Sequence, residues 1–334
     1  MKRFIFKAAL AATALVAMAS LPALAQEKTI KFGTLNAPGH PVTQGMERFK
    51  QIVEAKSGGK IKVNLFPAGQ LGNDAFHVSG MQGGTIEMHV LNSGIMASQA
   101  KEFAVFDFPF IFANETIADK VVDGAFGKKM HAKLEQSGLV GLGYWELGFR
   151  NMTNSQRPLT KVEDIAGLKI RVIPNPINLD WVRALGANPT PLPFPEVYGA
   201  LENKAIDGQE NPIPTIKGAK LFEVQKHLAL TKHVYNPQSV LMSKKFWDTL
   251  SAAEKKVLTD ATSEAGIFQR QTNRAAIGRD LEDLKKAGMQ VTEFSAAETA
   301  KLVDKMKPVI TKYATNVGPE TVTELLTAIS AASK

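Results

Sequence analysis

Between Gly148 and Val172 the chain reads GFRNMTNSQRPLTKVEDIAGLKIRV, with arginines at 150, 157 and 171 among strand-like and turn-like residues. A guanidinium presents a planar fork of N–H donors that matches a carboxylate in two-point contact, and it stays charged at any working pH. In LKIRV the alternation puts Leu168, Ile170 and Val172 on one face and Lys169 and Arg171 on the other. A charge buried in such a strand is costly unless paired, so Arg171 requires an acidic partner or a place at a strand end. It stands at such an end, just before the helix-breaking IPNP, and ligands of open α/β sheets bind at the carboxyl ends of strands. Arg150 is placed similarly after GYWELGF, whereas Arg157, in the turn-prone NSQRP, reads as solvated. The chemistry suggested is capture of an anion, set against the plainer reading of a solvated surface charge.

Enzyme templates find little support. No G-x-G-x-x-G, G-x-x-x-x-G-K-[ST], G-x-S-x-G or H-E-x-x-H run occurs, and the histidines at 40, 77, 89, 131, 227 and 233 lack i, i+4 ligand spacing. No cofactor and no metal is therefore expected. Asp207 and Glu210 in IDGQENP could be read as paired carboxylates of a secreted carbohydrate-active hydrolase. No aromatic sugar platform surrounds them, and a turn built by Asp-Gly is the simpler account.

The elements that must position such residues alternate. KTIKFGTLN is a strand that ends in the turn-rich APGHP; Val42, Met46, Phe49, Ile52 and Val53 then form one apolar helical face. IKVNLFP, a short helix over Asn73 to Gln82 and the strand IEMHVLN complete a strand-helix order typical of a mostly parallel sheet with helices on its faces. A second unit of the same kind begins near Gly148, with GLKIRV as a strand, helices over Asn178 to Leu185 and Phe194 to Lys204, and AIDGQ as a short strand. The extended HLALTKHVYNPQSVLMS is the natural place for the chain to return to the first unit. From Ser251 to Lys286 apolar residues recur at helical spacing without proline. At 1.5 Å per residue that run spans roughly 54 Å, longer than one small domain is wide, and should bridge two lobes.

The chain opens with Lys2, Arg3 and Lys7 ahead of an apolar run and then Ala23-Leu24-Ala25, the pattern of a cleavable secretory signal. Removal of residues 1–25 would leave 334 − 25 = 309 residues and reduce the formal charge from +8 to +5. The expected product is periplasmic. The chain has no cysteine, which excludes lipid attachment at a processed cysteine, disulfides, thiolate catalysis and zinc–sulfur sites. Basic residues are mixed with acidic ones, as in EDLKK, so no nucleic-acid footprint is present, and a mild positive balance suits an anionic small ligand.

The segments GFRNMTNSQRPL, AGLKIRV, GANPTPLPFPEVYGALENKAIDGQENP and FEVQKHLALTKH, with KFGTLNAPGHP and LFPAGQLGN near the start, resemble the solute-binding proteins of tripartite ATP-independent periplasmic (TRAP) transporters. The resemblance runs over essentially the whole mature chain, and PFPEVYGALENKAIDGQENP is its most specific part. It implies a two-lobed α/β periplasmic binding protein with hinge strands and a long helix touching both lobes. The implied division is residues 26–147 plus 237–276 for the first lobe and 148–236 plus 277–334 for the second. It also implies a monomer that delivers a small organic acid to membrane permease subunits, with no catalysis.

By the same resemblance Arg171 makes the two-point contact to the ligand carboxylate and Arg150 is a second ligand-side arginine. Asn211 reaches the carboxylate or a neighbouring hydroxyl, Phe194 packs on the ligand body, and Asn36, His40, Asn92 and Ser93 face the cleft from the first lobe. Where sialic-acid binders carry an acidic residue this chain has Asn92, which argues against sialic acid. Asn36, Asn92, Asn211, Glu146 and Trp145 would match hydroxyl groups, favouring a sugar acid such as an aldonate or uronate. A C4-dicarboxylate, which would want a second cation, or another hydroxy, keto or aromatic carboxylate is the alternative.

Overall fold

A computed structural model describes residues 27–334, so the signal-like segment lies outside the described residues. The first half of the chain alternates β1 (Lys28–Gly33), α1 (Pro41–Lys56), β2 (Ile61–Phe66), α2 (Asp74–Gly83) and β3 (Met88–Asn92). Two further helices, α3 (Glu115–Asp123) and α4 (Ala125–Ala132), precede the long strand β4 (Leu139–Phe149). The chain then builds β5 (Asn151–Asn154), β6 (Lys169–Val172), α5 (Pro176–Ala184), β7 (Asn188–Pro191), α6 (Val197–Glu202), β8 (Gly208–Asn211), α7 (Ile213–Gly218) and β9 (His227–Leu230). It closes with β10 (Tyr235–Ser243), α8 (Lys244–Asp248), α9 (Ala252–Lys286), β11 (Gln290–Glu293), α10 (Ala296–Val317) and α11 (Pro319–Ala332).

Local chemistry explains the boundaries. Pro41 opens α1, where its missing N–H costs nothing, and His40 Nδ1 accepts from Val42 N at 3.1 Å. The expected apolar residues of α1 are all buried. Asn73 caps α2 through its side chain, and Gly84 ends it in the left-handed region at φ 85°, which glycine adopts without strain. A reciprocal capping box between Ser251 and Glu254 starts α9, a helix of 35 residues and so about 52 Å.

Two sheets result. The first has the order β2-β1-β3-β10-β4, with β1 parallel to β2 and β3 and with β10 antiparallel to β3 and β4. The second has the order β11-β9-β5-β8-β6-β7; β6 runs parallel to β7 and β8, and β5 runs antiparallel to β8 and β9. Both sheets are mixed rather than nearly all parallel, because one strand in each runs directly out of or into the other lobe. The chain crosses between sheets at Arg150 and again at Thr231–Val234, and Arg150 N donates to Val234 O at 2.8 Å, joining the crossings. The expected helix over Phe194 to Lys204 is shorter, a tight turn at Phe194–Glu196 followed by α6.

Helix α9 bridges the lobes as expected, packing on α1 and β4 of the first and on α7 of the second. Its Gln269 side chain lies against the outer edge of β4, accepting from Glu146 N at 2.9 Å and donating to Glu146 O at 2.7 Å. Arg270 donates to Tyr144 O at 2.8 Å along the same edge. Phe32, Phe49, Met46, Trp145 and Leu258 fill the core between the first sheet and helices α1 and α9. A larger core runs from Phe103, Phe106 and Leu139 to Val172, Trp181 and Met306, so burial is continuous across the lobes. Helix α10 packs on α5, and α11 packs on α3 and α4.

Candidate functional site

A cavity of about 320 Å³ opens between the lobes. Its first wall comes from Leu35 and Asn36 after β1, the first turns of α2, the end of β3, and Gln238 of β10. Its second wall comes from Arg171, Ile173 and Pro174 at the end of β6, Pro193 and Phe194 after β7, Asn211 closing β8, and Thr215 on α7. Strands β1, β3, β6, β7 and β8 thus present their carboxyl ends to one space.

Arg171 is the charged centre of the second wall. It is only 2% exposed, and its Nε and Nη2 both donate to Leu192 O, at 2.9 and 2.7 Å. Among the described residues that carbonyl is its only acceptor, which leaves Nη1 without a protein partner. Burial, and next the neighbouring Arg150 charge, lower its pKa to about 10, with Glu210 and Asp74 opposing; the group stays cationic near neutral pH. Phe194 lies with its ring centroid 5.8 Å from the guanidinium carbon. Asn211 Nδ2 is anchored on Gln209 Oε1 at 2.6 Å, and Asn36 Nδ2 on Thr34 Oγ1 at 3.1 Å, so both face the cavity in fixed orientations.

Across the cavity the chemistry changes sign. Asn92 and Gln238 sit opposite each other in the β3–β10 register, and their amide oxygens, as oriented, are buried with no partner. A buried acceptor left unmatched is costly, and one that lines a cavity is positioned to take a ligand donor. Asp74, on the first turn of α2, adds a carboxylate.

Five of the expected residues, Arg171, Asn211, Phe194, Asn92 and Asn36, therefore converge on the cavity. The other five do not line it. Arg150 is spent inside the hinge: its Nε and Nη2 pair with the Glu210 carboxylate and its Nη1 donates to Asn236 Oδ1 at 2.8 Å. Burial alone would raise the Glu210 pKa, but the Arg150 guanidinium and then His233 outweigh it and hold the value at about 2. Glu146 is buried behind the cavity, bound by Arg274 Nη2 at 2.6 Å, Tyr235 Oη at 2.9 Å and Asn273 Nδ2 at 2.9 Å. Trp145 belongs to the first core, its indole donating to Thr262 O at 3.1 Å. Ser93 is hydrogen-bonded to Ser239 at 2.9 Å.

His40 has a different task. Because Nδ1 accepts the Val42 N–H, Nε2 carries the hydrogen and donates to Thr215 Oγ1 at 3.2 Å, a bond from one lobe to the other. Burial lowers its pKa to about 3, so it is neutral under ordinary conditions.

The hydrolase alternative loses its residues. Glu210 is committed to Arg150, while Asp207 accepts from Lys169 N at 2.8 Å and from Gln156 Nε2 at 3.0 Å. Neither lines the cavity. The sequence reading missed Asp74, Thr215 and Gln238. Asp74 looks like an ordinary acidic residue in a first helical turn, and Gln238 gains its meaning only from pairing with a strand about 150 residues away.

Comparison with known proteins places the chain among relatives. The family described as bacterial extracellular solute-binding protein, family 7, matches residues 32–316. A TRAP periplasmic solute binding protein from Ochrobactrum anthropi, described with its C-terminus bound in the ligand binding pocket, is 50% identical. That match covers 92% of this chain and 97% of that one, with a TM-score of 0.82. The sugar acid binding protein of Advenella mimigardefordensis, in complex with galactonate, is 42% identical over 92% of this chain and 99% of that one, with a TM-score of 0.90. The 2,3-diketo-L-gulonate-binding periplasmic protein of Escherichia coli is 37% identical over 79% of this chain and 80% of its own.

Proposed function

This chain belongs to the bacterial extracellular solute-binding proteins of family 7, and from that premise we propose that it captures a sugar acid, an aldonate or uronate, for a TRAP transporter. The observation that carries the reading is the contrast between the two cavity walls. Arg171 holds donor capacity that the protein leaves unused, and the facing wall holds the unpaired amide oxygens of Asn92 and Gln238. A ligand with a carboxylate at one end and hydroxyl donors along its body answers both. Phe194 and the apolar Ile173, Val90 and Leu147 supply contact for its carbon chain. Two of the similar proteins are described by sugar-acid ligands, which supports the same choice.

Binding would work by closure. The ligand touches Arg171 from one lobe and Asn92 and Gln238 from the other only when the lobes are together, so it favours the closed state by differential contact. The His40–Thr215 bond is a feature of that state. The closed, loaded form would then be presented to the membrane permease subunits in the periplasm.

A thermal-shift screen of aldonates, uronates, short hydroxy acids, dicarboxylates and aromatic acids tests the reading. The expected result is stabilisation by hydroxylated acids, rising with concentration and with no product formed. Stabilisation only by acids that lack hydroxyls would overturn it.

A further inference from the structure

The cavity is enclosed around Arg171 and open on one side. Arg171, Asn211, Thr215 and Gln238 are each 3% exposed or less. Among the described residues that line the cavity, the exposed ones are Ala75, Ser79, Ser98 and Pro174. Ala75 and Ser79 stand one turn apart on the same face of α2. Ser98 ends the tight turns of Ser93–Ser98 that follow β3, and Pro174 follows β6. All of them are compact and uncharged.

These residues form one rim, because the segments that carry them are tied together. Gln82, one turn beyond Ser79 on α2, donates through Nε2 to Gln99 Oε1 at 2.9 Å and so holds α2 beside the Ser93–Ser98 turns. Asn175, next to Pro174, donates through Nδ2 to Gly94 O at 3.2 Å and holds the segment after β6 against the start of the same turns. The half-buried Ile95 and Gln99 line the cavity beside the rim. Pro174 follows Arg171 so closely in the chain that their Cα atoms are at most about 11 Å apart, a span comparable with an extended six-carbon acid. With buried residues on the other sides, a ligand held at its carboxylate by Arg171 points its far end at the rim.

We infer that the cavity admits aldonates that carry an uncharged sugar on their terminal hydroxyl, the aldobionates, with the second sugar leaving through this rim. This rests on the sugar-acid reading of the cavity and extends it. Size supports the extension. At roughly 10 to 15 Å³ for each water-sized position, 320 Å³ offers about 20 to 30 positions, and a six-carbon aldonate of about thirteen non-hydrogen atoms fills roughly half of them. The rim suits a neutral group, since it holds neither a cation to match a second carboxylate nor a carboxylate to match an amine. Pro174 and Ile95 offer apolar contact to the C–H face of a sugar ring. Ser79 Oγ has no hydrogen-bond partner among the described residues, and Ser98 Oγ, which donates to Ile95 O at 3.1 Å, can still accept from a sugar hydroxyl.

The test compares gluconate with melibionate, which is gluconate carrying galactose on its terminal oxygen, by calorimetry on the purified protein near neutral pH. The unsubstituted protein is expected to bind melibionate within about threefold of gluconate, or more tightly. Ser79→Leu, at an exposed helical position, and Ser98→Tyr, on the facing segment, narrow the opening from two sides. Each is expected to shift the ratio of the two affinities against melibionate by about tenfold or more. The two substitutions lie on separate elements, and the unliganded melting temperature of each variant guards against a fault in folding. Melibionate binding more than about threefold weaker than gluconate in the unsubstituted protein marks a sealed cavity; it overturns the inference and leaves the sugar-acid reading standing. An unchanged ratio in either folded variant also overturns it. Binding of neither acid by the unsubstituted protein removes the aldonate reading and this inference together.

Discussion

Arg150 and Arg171 are alike in sequence setting, each closing a run of strand residues, and alike in burial, each 2% exposed. Their surroundings differ. Arg150 finds Glu210 and Asn236 inside the protein, and the network continues to Asp107, which accepts from Asn236 at 3.1 Å and from Asn175 at 2.8 Å. Arg171 finds one carbonyl. The difference separates a charge that holds the two crossings together from a charge with donor capacity left over at the cavity wall, where the proposed ligand would take it up. Burial of an arginine in this fold is thus no guide to its role; the number of its donors already matched is.

The contrast can be broken most forcefully at the hinge. Arg150→Met leaves Glu210 buried without its guanidinium, and should cost about 3 to 5 kcal/mol of folding stability, read by denaturant unfolding. The same pair gives the acid branch of stability its shape. Glu210 in the folded protein, at about 2, lies below its ordinary 4.5, so the contribution is whole above about 4.5 and is lost as pH falls towards about 2. The melting-temperature gap between the unsubstituted protein and Arg150→Met should therefore narrow below about pH 4.5, and a constant gap would show that the ion pair is not its cause.

At the other arginine the effect moves from folding to binding. Arg171→Lys keeps the charge but loses the planar fork, and is expected to weaken sugar-acid binding by about 1.5 to 3 kcal/mol while the unliganded melting temperature stays nearly constant. Loss of stability on the scale of Arg150→Met would erase the distinction. The smallest effect is expected at the contact between the lobes. Thr215→Val removes the acceptor for His40 Nε2 and should weaken every ligand alike by about 0.5 to 1.5 kcal/mol, mainly through faster release. A change in the order of ligand preference would assign Thr215 to recognition instead of closure.

Much of this arrangement was legible in the sequence, for local reasons. Alternation and helical spacing marked the strands and the bridging helix, and the turn-forming residues after LKIRV showed that Arg171 stands at a strand end. Asn211 and Phe194 came instead from the resemblance carried by PFPEVYGALENKAIDGQENP, not from local pattern. What failed was anything decided by a distant partner. Nothing near Arg150 announces Glu210, sixty residues on, and nothing in GYWELGF says that Trp145 and Glu146 face helix α9 rather than the ligand. The mixed direction of the sheets was hidden for the same reason, since β10 enters the first sheet from the other lobe.

The side chain of Gln269 has a further consequence. Strand β4 is the last in its sheet, and an edge of open amides and carbonyls is a template on which a second molecule can add a strand. By exchanging two hydrogen bonds with Glu146, Gln269 occupies that template as a neighbouring peptide unit would, and Arg270 takes the Tyr144 carbonyl beside it. Along this stretch the edge is blocked from within the same chain, which protects neighbouring copies from joining sheet to sheet into aggregates.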